Sequence, residues 1–484
     1  MRWWLSILGG TGERVAQTGR ASSIGRWLVA RITFVGWNFL ACDREQQYLM
    51  PPSLTDWLPE DHLAWFVLGV VEQLDLSALH AGYRTDGWGR AAHDPSMMLA
   101  LLLYAYCLGE RSSRRIERRC LDDVAYRVIT ANATPDHATI ARFRVRHQDV
   151  LAGLFVQSLR LCQAAGLVRL GVVALDGTKI AAQASMNATR RRADLEAEVA
   201  GMLAEAEASD SAEDGAELHR SSAEQARVLR GGQAARRARL LQAKARLEAE
   251  DHAALAAHQG TIAERAAKEL ATGKRIRGRK PQPPRPDPDR RVNTSDPDSR
   301  VMPIKKGWLQ GYNAQIVTTI DQIIVAAQVH TCTNDQPLLH PMLAAAQNAL
   351  HNAGIAEPIG TLLADAGYCT DTNLAAASRT GPRLLMPPYN TRKDRDVADA
   401  RDQMGNRAPK PRSAKERMEQ QLATEAGLAL YRLRSQTVEP TFGQLKEVRG
   451  CRRFQRRGRA AVDSEWKLIC ATHNLLKLWR HGRP

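Results

Sequence analysis

GVVALDGTKIAA, residues 171–182, and GTLLADAGY, residues 360–368, are two short apolar runs that carry one carboxylate each, Asp176 and Asp365. Runs of this length bounded by Gly read as buried strands. Between them lies GYNAQIVTTIDQIIVAAQVHT (311–331), two β-rich runs about a turn near Asp321 and Gln322, followed by the helical DQPLLHPMLAAAQNALHNAG (335–354). After Asp365 come a helical DTNLAAASRT (371–380) and an extended PRLLMPP (382–388). The order is strand, hairpin, helix, strand, helix, strand.

That is the element order of an α/β RNase H-like catalytic core, a mixed sheet with flanking helices. Its first and fourth strands are neighbours, so Asp176 and Asp365 are expected side by side although 189 positions (365 − 176) separate them. The third acid of such a core comes from a later helix, and YRLRSQTVEPTFGQLKEVRG (431–450) offers Glu439 in a strongly cationic setting. Hard carboxylate oxygens suit Mg²⁺ or Mn²⁺. Two such ions roughly 3.5 to 4 Å apart activate the attacking oxygen and stabilise the leaving one in phosphodiester displacement. Each acid also has a plainer reading. Asp176 before Gly177, and Asp365 before Ala366 and Gly367, suit turns. Glu439 before Pro440 suits the first turn of a helix. Asp335 in TCTNDQPLL is a fourth candidate acid, read in preference as the cap of the helix that follows it.

Around Glu439, Lys446 falls seven residues on, which on a continuous helix places both on nearly one face. Lys446 is assigned to a phosphate, Tyr431 to stacking on a DNA end and Arg434 to a phosphate clamp; a core Tyr and a surface Arg are the alternatives. Arg449, Arg452 and Arg453, with Arg456, Arg457 and Arg459, extend the basic surface. From 431 to 484 there are 13 Lys or Arg against 4 acids. Over the whole chain, 68 basic against 52 acidic residues give a charge of +16 and a pI near 9.7, which points to a polyanion such as double-stranded DNA. Binding that neutralises phosphates is steeply salt-sensitive.

The eight cysteines show no CxxC pair or zinc-type spacing, and read as reduced thiols of a cytoplasmic protein. The apolar runs near 27–42 and 97–108 are too short to span a bilayer, so no membrane is expected. MRWWLSIL at the start has no convincing signal-cleavage site. GxxxxGK[ST] is absent, which removes an ATP-driven mechanism.

Four units follow from the patterning. Residues 1–43 lack periodicity and read as a disordered leader. Residues 44–165 are helical throughout and read as an all-α N-terminal DNA-binding domain, with Asp61, Asp94, Ser112 and Asp136 at helix starts. In it Arg114, Arg115, Arg118 and Arg119 wind onto one helix face, and Arg142 and Arg146 repeat the spacing. Such faces are either solvated or, in a helix-turn-helix-like element, laid on phosphates. Residues 166–189 and 301–480 form the catalytic domain. Residues 190–300 form a helical insertion with a thin apolar stripe, closed by the Pro- and charge-rich RIRGRKPQPPRPDPDRRVNTSDPDSR.

At these residues the chain resembles the DDE transposases of bacterial insertion sequences. ALDGTKI, GYNAQ, LLADAGY and VEPTFGQLKEVRGCRRFQRRG, with LMPPSLTDWLPEDHL, GERSSRRIE and TPDHATIARFR upstream, are similar to the group related to insertion-sequence families four and five, most closely the one numbered eleven-eighty-two. The resemblance covers residues 44–480 and implies that Asp176, Asp365 and Glu439 bind the metal. It also implies binding to terminal inverted repeats by a homodimer on paired ends, hydrolysis that exposes a 3′ hydroxyl, and strand transfer. Tyr431, Arg434, Glu439 and Lys446 resemble the related Y-R-E-K pattern, except that four residues rather than three separate Arg434 from Glu439. A nuclease or resolvase on the same core, and a catalytically silent DNA-binding derivative, are the competing expectations.

Overall fold

Strand β1, Val172–Ala181, runs through Asp176 and Gly177 without a break, so this Asp-Gly pair is strand interior and not a turn. The computed structural model describes residues 40, 42, 53–86, 88–89, 91–213, 223–377, 381–388 and 414–482. The expected leader, apart from residues 40 and 42, and most of the polar link at 390–417 lie outside the described residues.

On one side β1 pairs antiparallel with β5, Gly307–Thr319, setting Asp176 opposite Ile316 and Gly177 opposite Gln315. On the other side it pairs parallel with β7, Thr361–Leu363, from Val172 opposite Thr361 onward. β8, Arg383–Leu385, runs parallel to β7. β4, Arg300–Ile304, and β6, Ile324–His330, pair antiparallel with successive stretches of β5. The order β6-β5-β1-β7-β8 gives the neighbouring first and fourth strands expected from the sequence, and β4 is an additional edge. The β5–β6 turn falls at the expected place, with Gln322 in the left-handed region at φ 65°. Alternating burial is absent from β5, whose residues 310–319 are all buried, because both faces of the sheet are covered.

The amino-terminal helices are α1 (Leu63–Gln73), α2 (Pro95–Cys107), α3 (Ser113–Asp122), α4 (Val124–Ile129), α5 (His137–Arg146) and α6 (Gln148–Ala164). Asp94 caps α2, accepting from Ser96 N at 2.8 Å ahead of a Pro at the first position. Asp136 caps α5 through Ala138 N and Thr139 N. His62, not Asp61, caps α1, and Ser112 precedes α3 without a side-chain cap bond.

These helices have no core of their own. Leu99, Leu102, Tyr106 and Leu159 are buried in one continuous cluster with Leu175 and Ile316 of the sheet and Trp466 and Ile469 of the last helix, α13 (Arg459–His481). Among the described residues the cluster runs across residue 165 without a break. The two blocks are also joined by polar groups: Arg111 forms a 3.1 Å ion pair with Glu465, both buried, and donates to Arg453 O and Gly450 O.

The insertion is a helical hairpin, α7 (Arg192–Glu213) and α8 (Ala223–Thr272), rooted on the ribbon of β2 (Thr189–Arg191) and β3 (Arg291–Asn293). Among the described residues it has a small core of Leu195, Val199, Leu240, Ala243, Leu247 and Val292, with Met202 packed against it. Helix α9, Leu339–Asn352, follows β6, and α10, Asp371–Ala375, lies between β7 and β8. All eight cysteines are free. Among the described residues no helix is long and apolar enough to cross a membrane.

Candidate active site

Asp176 projects from the middle of β1, and Asp365 begins the one-turn helix Ala366–Tyr368 just past the end of β7. Parallel pairing of the two strands brings the acids to the same end of the sheet. Asp365 Oδ1 accepts from Gly367 N at 3.0 Å, so the ADAGY turn holds its own carboxylate in place. Burial pushes the Asp176 carboxyl up to about 6 against the opposing pull of Arg434, and burial raises that of Asp365 as well.

Between them sits Arg434. It comes from α12, Glu425–Gly443, which follows α11, Ala414–Ala423. Its Nη2 donates to Asp176 Oδ2 at 2.8 Å and lies 4.0 Å from Asp365 Oδ2. The sequence reading gave Arg434 to a phosphate; in this structure its guanidinium is the counter-ion of the two aspartates. Tyr431, one turn earlier, is half-buried against the core, so its ring is packed on protein here.

Helix α12 continues straight through Pro440, so Glu439 is in a helix interior and not in a first turn. Pro440 lacks the N–H that would bond Gln436 O, and Gln322 Nε2 approaches that carbonyl at 3.5 Å instead. The helix then widens into a π-helical turn at Gln444–Val448. Lys446 lies inside that turn, whereas Glu439 lies in the α-helical part before it. Lys446 turns inward and donates to Thr178 Oγ1 at 2.9 Å, two residues along β1 from Asp176, and burial lowers its pKa. Glu439 is exposed, about 140° around the helix from Arg434. Among the described residues no three His, Cys, Asp or Glu side chains are placed to hold a metal ion.

The aspartate pair nevertheless fits a hard cation. Both ligands offer only oxygen, burial disfavours their charged forms, and the pair already draws a cation in Arg434. Mg²⁺ is commonly held by one or two carboxylates, with water and substrate phosphate completing its shell.

The basic residues divide into four sets. Arg114, Arg118 and Arg142 are exposed, and Arg115 and Arg119 are exposed while pairing with Glu110 and Asp123. Arg452 and Arg453 are exposed too, with Arg452 paired to Glu447. Their strand-like segment docks on the end of β1, where Phe454 N donates to Ala181 O at 2.8 Å. Arg146 is exposed but lies over the Tyr83 ring and bonds Gly82 O. Arg449 corrects the sequence reading outright. It is 4% exposed and donates to Tyr106 O, Ile469 O and Thr472 Oγ1, so it joins α2 to α13 and is withdrawn from the DNA-contacting set. Gly109, at φ 79°, permits that approach: a Cβ there would stand 2.4 Å from Arg449 O.

Sequence reasoning missed Lys179, Asn313, Gln315 and Tyr368, and misread Asp335. The side chain of Asp335 makes no cap bond; its Oδ1 accepts from Asn313 Nδ2 at 2.7 Å, Gln315 Nε2 at 2.8 Å and Lys179 Nζ at 3.3 Å. The available signal was Asn313 and Gln315 two apart in an otherwise apolar strand, since buried amides need partners.

Two protein families match this chain. The family described as Transposase domain (DUF772) matches residues 52–146, and that described as Transposase DDE domain matches residues 397–479. Together they support a DNA transposase of the DDE type. The second match contains Tyr431, Arg434, Glu439 and Lys446, and the first contains the exposed arginines of α3 and α5. Curated proteins and solved structures gave no match.

Proposed function

We propose that this chain is a transposase that binds the terminal inverted repeats of its own insertion sequence, cleaves there and joins the exposed 3′ ends to target DNA. The observation that carries the reading is the convergence of Asp176 and Asp365 about one cation, on neighbouring strands of a sheet ordered as in an RNase H-like core.

Asp176 and Asp365 hold a divalent ion, Mg²⁺ or Mn²⁺, and Glu439 is the third acid, exposed on the helix that also carries Arg434. The ion supplies Lewis-acid activation of the attacking oxygen and charge stabilisation of the leaving one. Arg434 favours the ionised form of both carboxylates, Asp176 mostly buried and Asp365 partly exposed, and would be a donor for a non-bridging phosphate oxygen. Lys446, beside Thr178, is a second cation at the phosphate. The exposed arginines of α3 and α5, together with Arg452 and Arg453, lie along the DNA, and two protomers hold paired ends.

The test incubates the purified chain with DNA carrying its flanking repeats and Mg²⁺, then maps the broken and joined phosphates. Cleavage at the repeat ends and joining to a second DNA are expected. Asp176→Asn, Asp365→Asn and Glu439→Gln should each abolish cleavage and leave end binding largely intact. Normal cleavage by any one variant removes that residue from the centre; cleavage without joining identifies a nuclease on the same core.

A further inference from the structure

We propose that Asp335 is a positioning residue of the cleavage centre, which acts through Gln315 and Tyr368 to hold the Asp365 turn against the strand that bears Asp176. The proposal rests on the function proposed above and assigns a role to a residue outside the three acids.

Gln315 is the link. It is fully buried on β5, directly opposite Gly177, the neighbour of Asp176. A Cβ at position 177 would lie 1.9 Å from Gln315 Nε2, so the carboxamide occupies the space that the glycine leaves and fixes β1 sideways at that point. Gln315 Oε1 accepts from the hydroxyl of Tyr368, a fully buried residue that closes the turn opened by Asp365. Gln315 Nε2 donates to Asp335 Oδ1 at 2.8 Å and to Asn313 Oδ1 at 3.0 Å.

Asp335 sets the direction of this chain. A carboxylate accepts only, so it holds the NH₂ end of Gln315 toward itself and the carbonyl end toward Tyr368. Hydrogen bonds to an ionised acceptor are about twice as strong as neutral ones. Lys179 at 3.3 Å balances the charge, and Asn313 Nδ2 at 2.7 Å fixes the second amide. Three donors on Oδ1 leave Asp335 committed to this network. Loss of its charge frees the Gln315 carboxamide to flip, and the Tyr368 hydroxyl then loses its acceptor. The spacing between Asp365 and Asp176 is the quantity that changes.

The experiment uses the full chain, its repeat-end DNA and Mn²⁺, with Asp335→Asn, Tyr368→Phe, the double variant and Asp176→Asn. Calorimetry measures Mn²⁺ binding without DNA, single-turnover cleavage is followed against Mn²⁺ concentration, and end-DNA affinity is measured in the absence of metal. Asp335→Asn and Tyr368→Phe are each expected to weaken Mn²⁺ binding about tenfold and to leave DNA affinity unchanged, and the double variant to be no worse than the poorer single one, because all three changes act on one chain. Should Asp335→Asn fail to fold, Tyr368→Phe removes only a hydroxyl and reports on the same link. Wild-type Mn²⁺ binding in both single variants, or multiplied effects in the double, overturns the proposal. If Asp176→Asn loses Mn²⁺ while both variants keep it, only the role of Asp335 falls; if Asp176→Asn binds Mn²⁺ like wild type, the metal centre itself falls and takes this proposal with it.

Discussion

Arg434 Nη2 lies 2.8 Å from Asp176 Oδ2, a contact between residues 258 apart in the chain that seats α12 on β1. The side chains are 15% and 18% exposed, so each has given up most of its water for the other. Breaking such a pair from one side leaves an uncompensated charge. Arg434→Ala should therefore cost about 2–3 kcal/mol at neutral pH, at or just below the roughly 3–5 kcal/mol lost when a fully buried pair is broken from one side, because some solvent remains. Arg434→Ala combined with Asp176→Asn should recover part of that loss, because the stranded charge is gone. Urea unfolding of the two variants checks this; a double variant no more stable than Arg434→Ala alone would refute it.

Arg449 should matter for folding and not for DNA. Its guanidinium bonds carbonyls on α2 and α13, so Arg449→Ala opens a cavity and removes the charged hydrogen bonds that join the two helices, although Tyr106 O keeps Gly109 N and Ile469 O keeps Thr472 Oγ1, at a cost of about 2–3 kcal/mol. Where the variant remains folded, its binding to repeat-end DNA should show the same dependence on salt as wild type. Undiminished stability together with a salt slope reduced by about one would restore Arg449 to the phosphate contacts.

The contrast between Arg449 and its neighbours Arg452 and Arg453 shows where sequence reading succeeds and stops. Strand order, the β5–β6 turn and the meeting of Asp176 with Asp365 were legible because each depends on local apolar patterning and one topological rule. Whether a given arginine faces water depends on what packs against it, and Arg449 is covered by α2, more than 340 positions away. The same holds for Asp335, whose partners come from β1 and β5, and for Gly177, whose reason is the Gln315 side chain across the sheet. The π-helical turn that contains Lys446 is likewise invisible to the heptad spacing.

Arg114 and Arg118 of α3 are exposed, with Ile116 and Cys120 buried beneath them, so they can be replaced without disturbing the core. Arg114→Ala with Arg118→Ala is expected to weaken binding to repeat ends and to lower the salt slope by about 1.8, two phosphates at about 0.9 each. Melting temperature should not change. Gel-shift titrations at several salt concentrations decide it, and an unchanged slope returns this face to solvent.

His473 provides a test that involves no DNA. It is buried in α13, where Nε2 meets Gln322 O at 2.9 Å and Nδ1 faces the Gln444 carboxamide at 2.7 Å, and burial holds its pKa down to about 3. The unfolded chain protonates this imidazole below the ordinary value near 6.5, whereas the folded chain keeps it neutral until about pH 3. Unfolding therefore takes up a proton between those limits, and the stabilising contribution, complete above pH 7, is lost as the pH falls through that window. Raised carboxyls such as Asp176 act in the opposite sense, so the comparison must be a difference between two proteins that share them. The stability of wild type relative to His473→Gln should be constant from pH 7 to 8 and fall by about 1.4 kcal/mol per pH unit from 6 to 4. A difference that stays flat across the acid range would mean that His473 is already protonated in the folded protein, with both ring nitrogens donating.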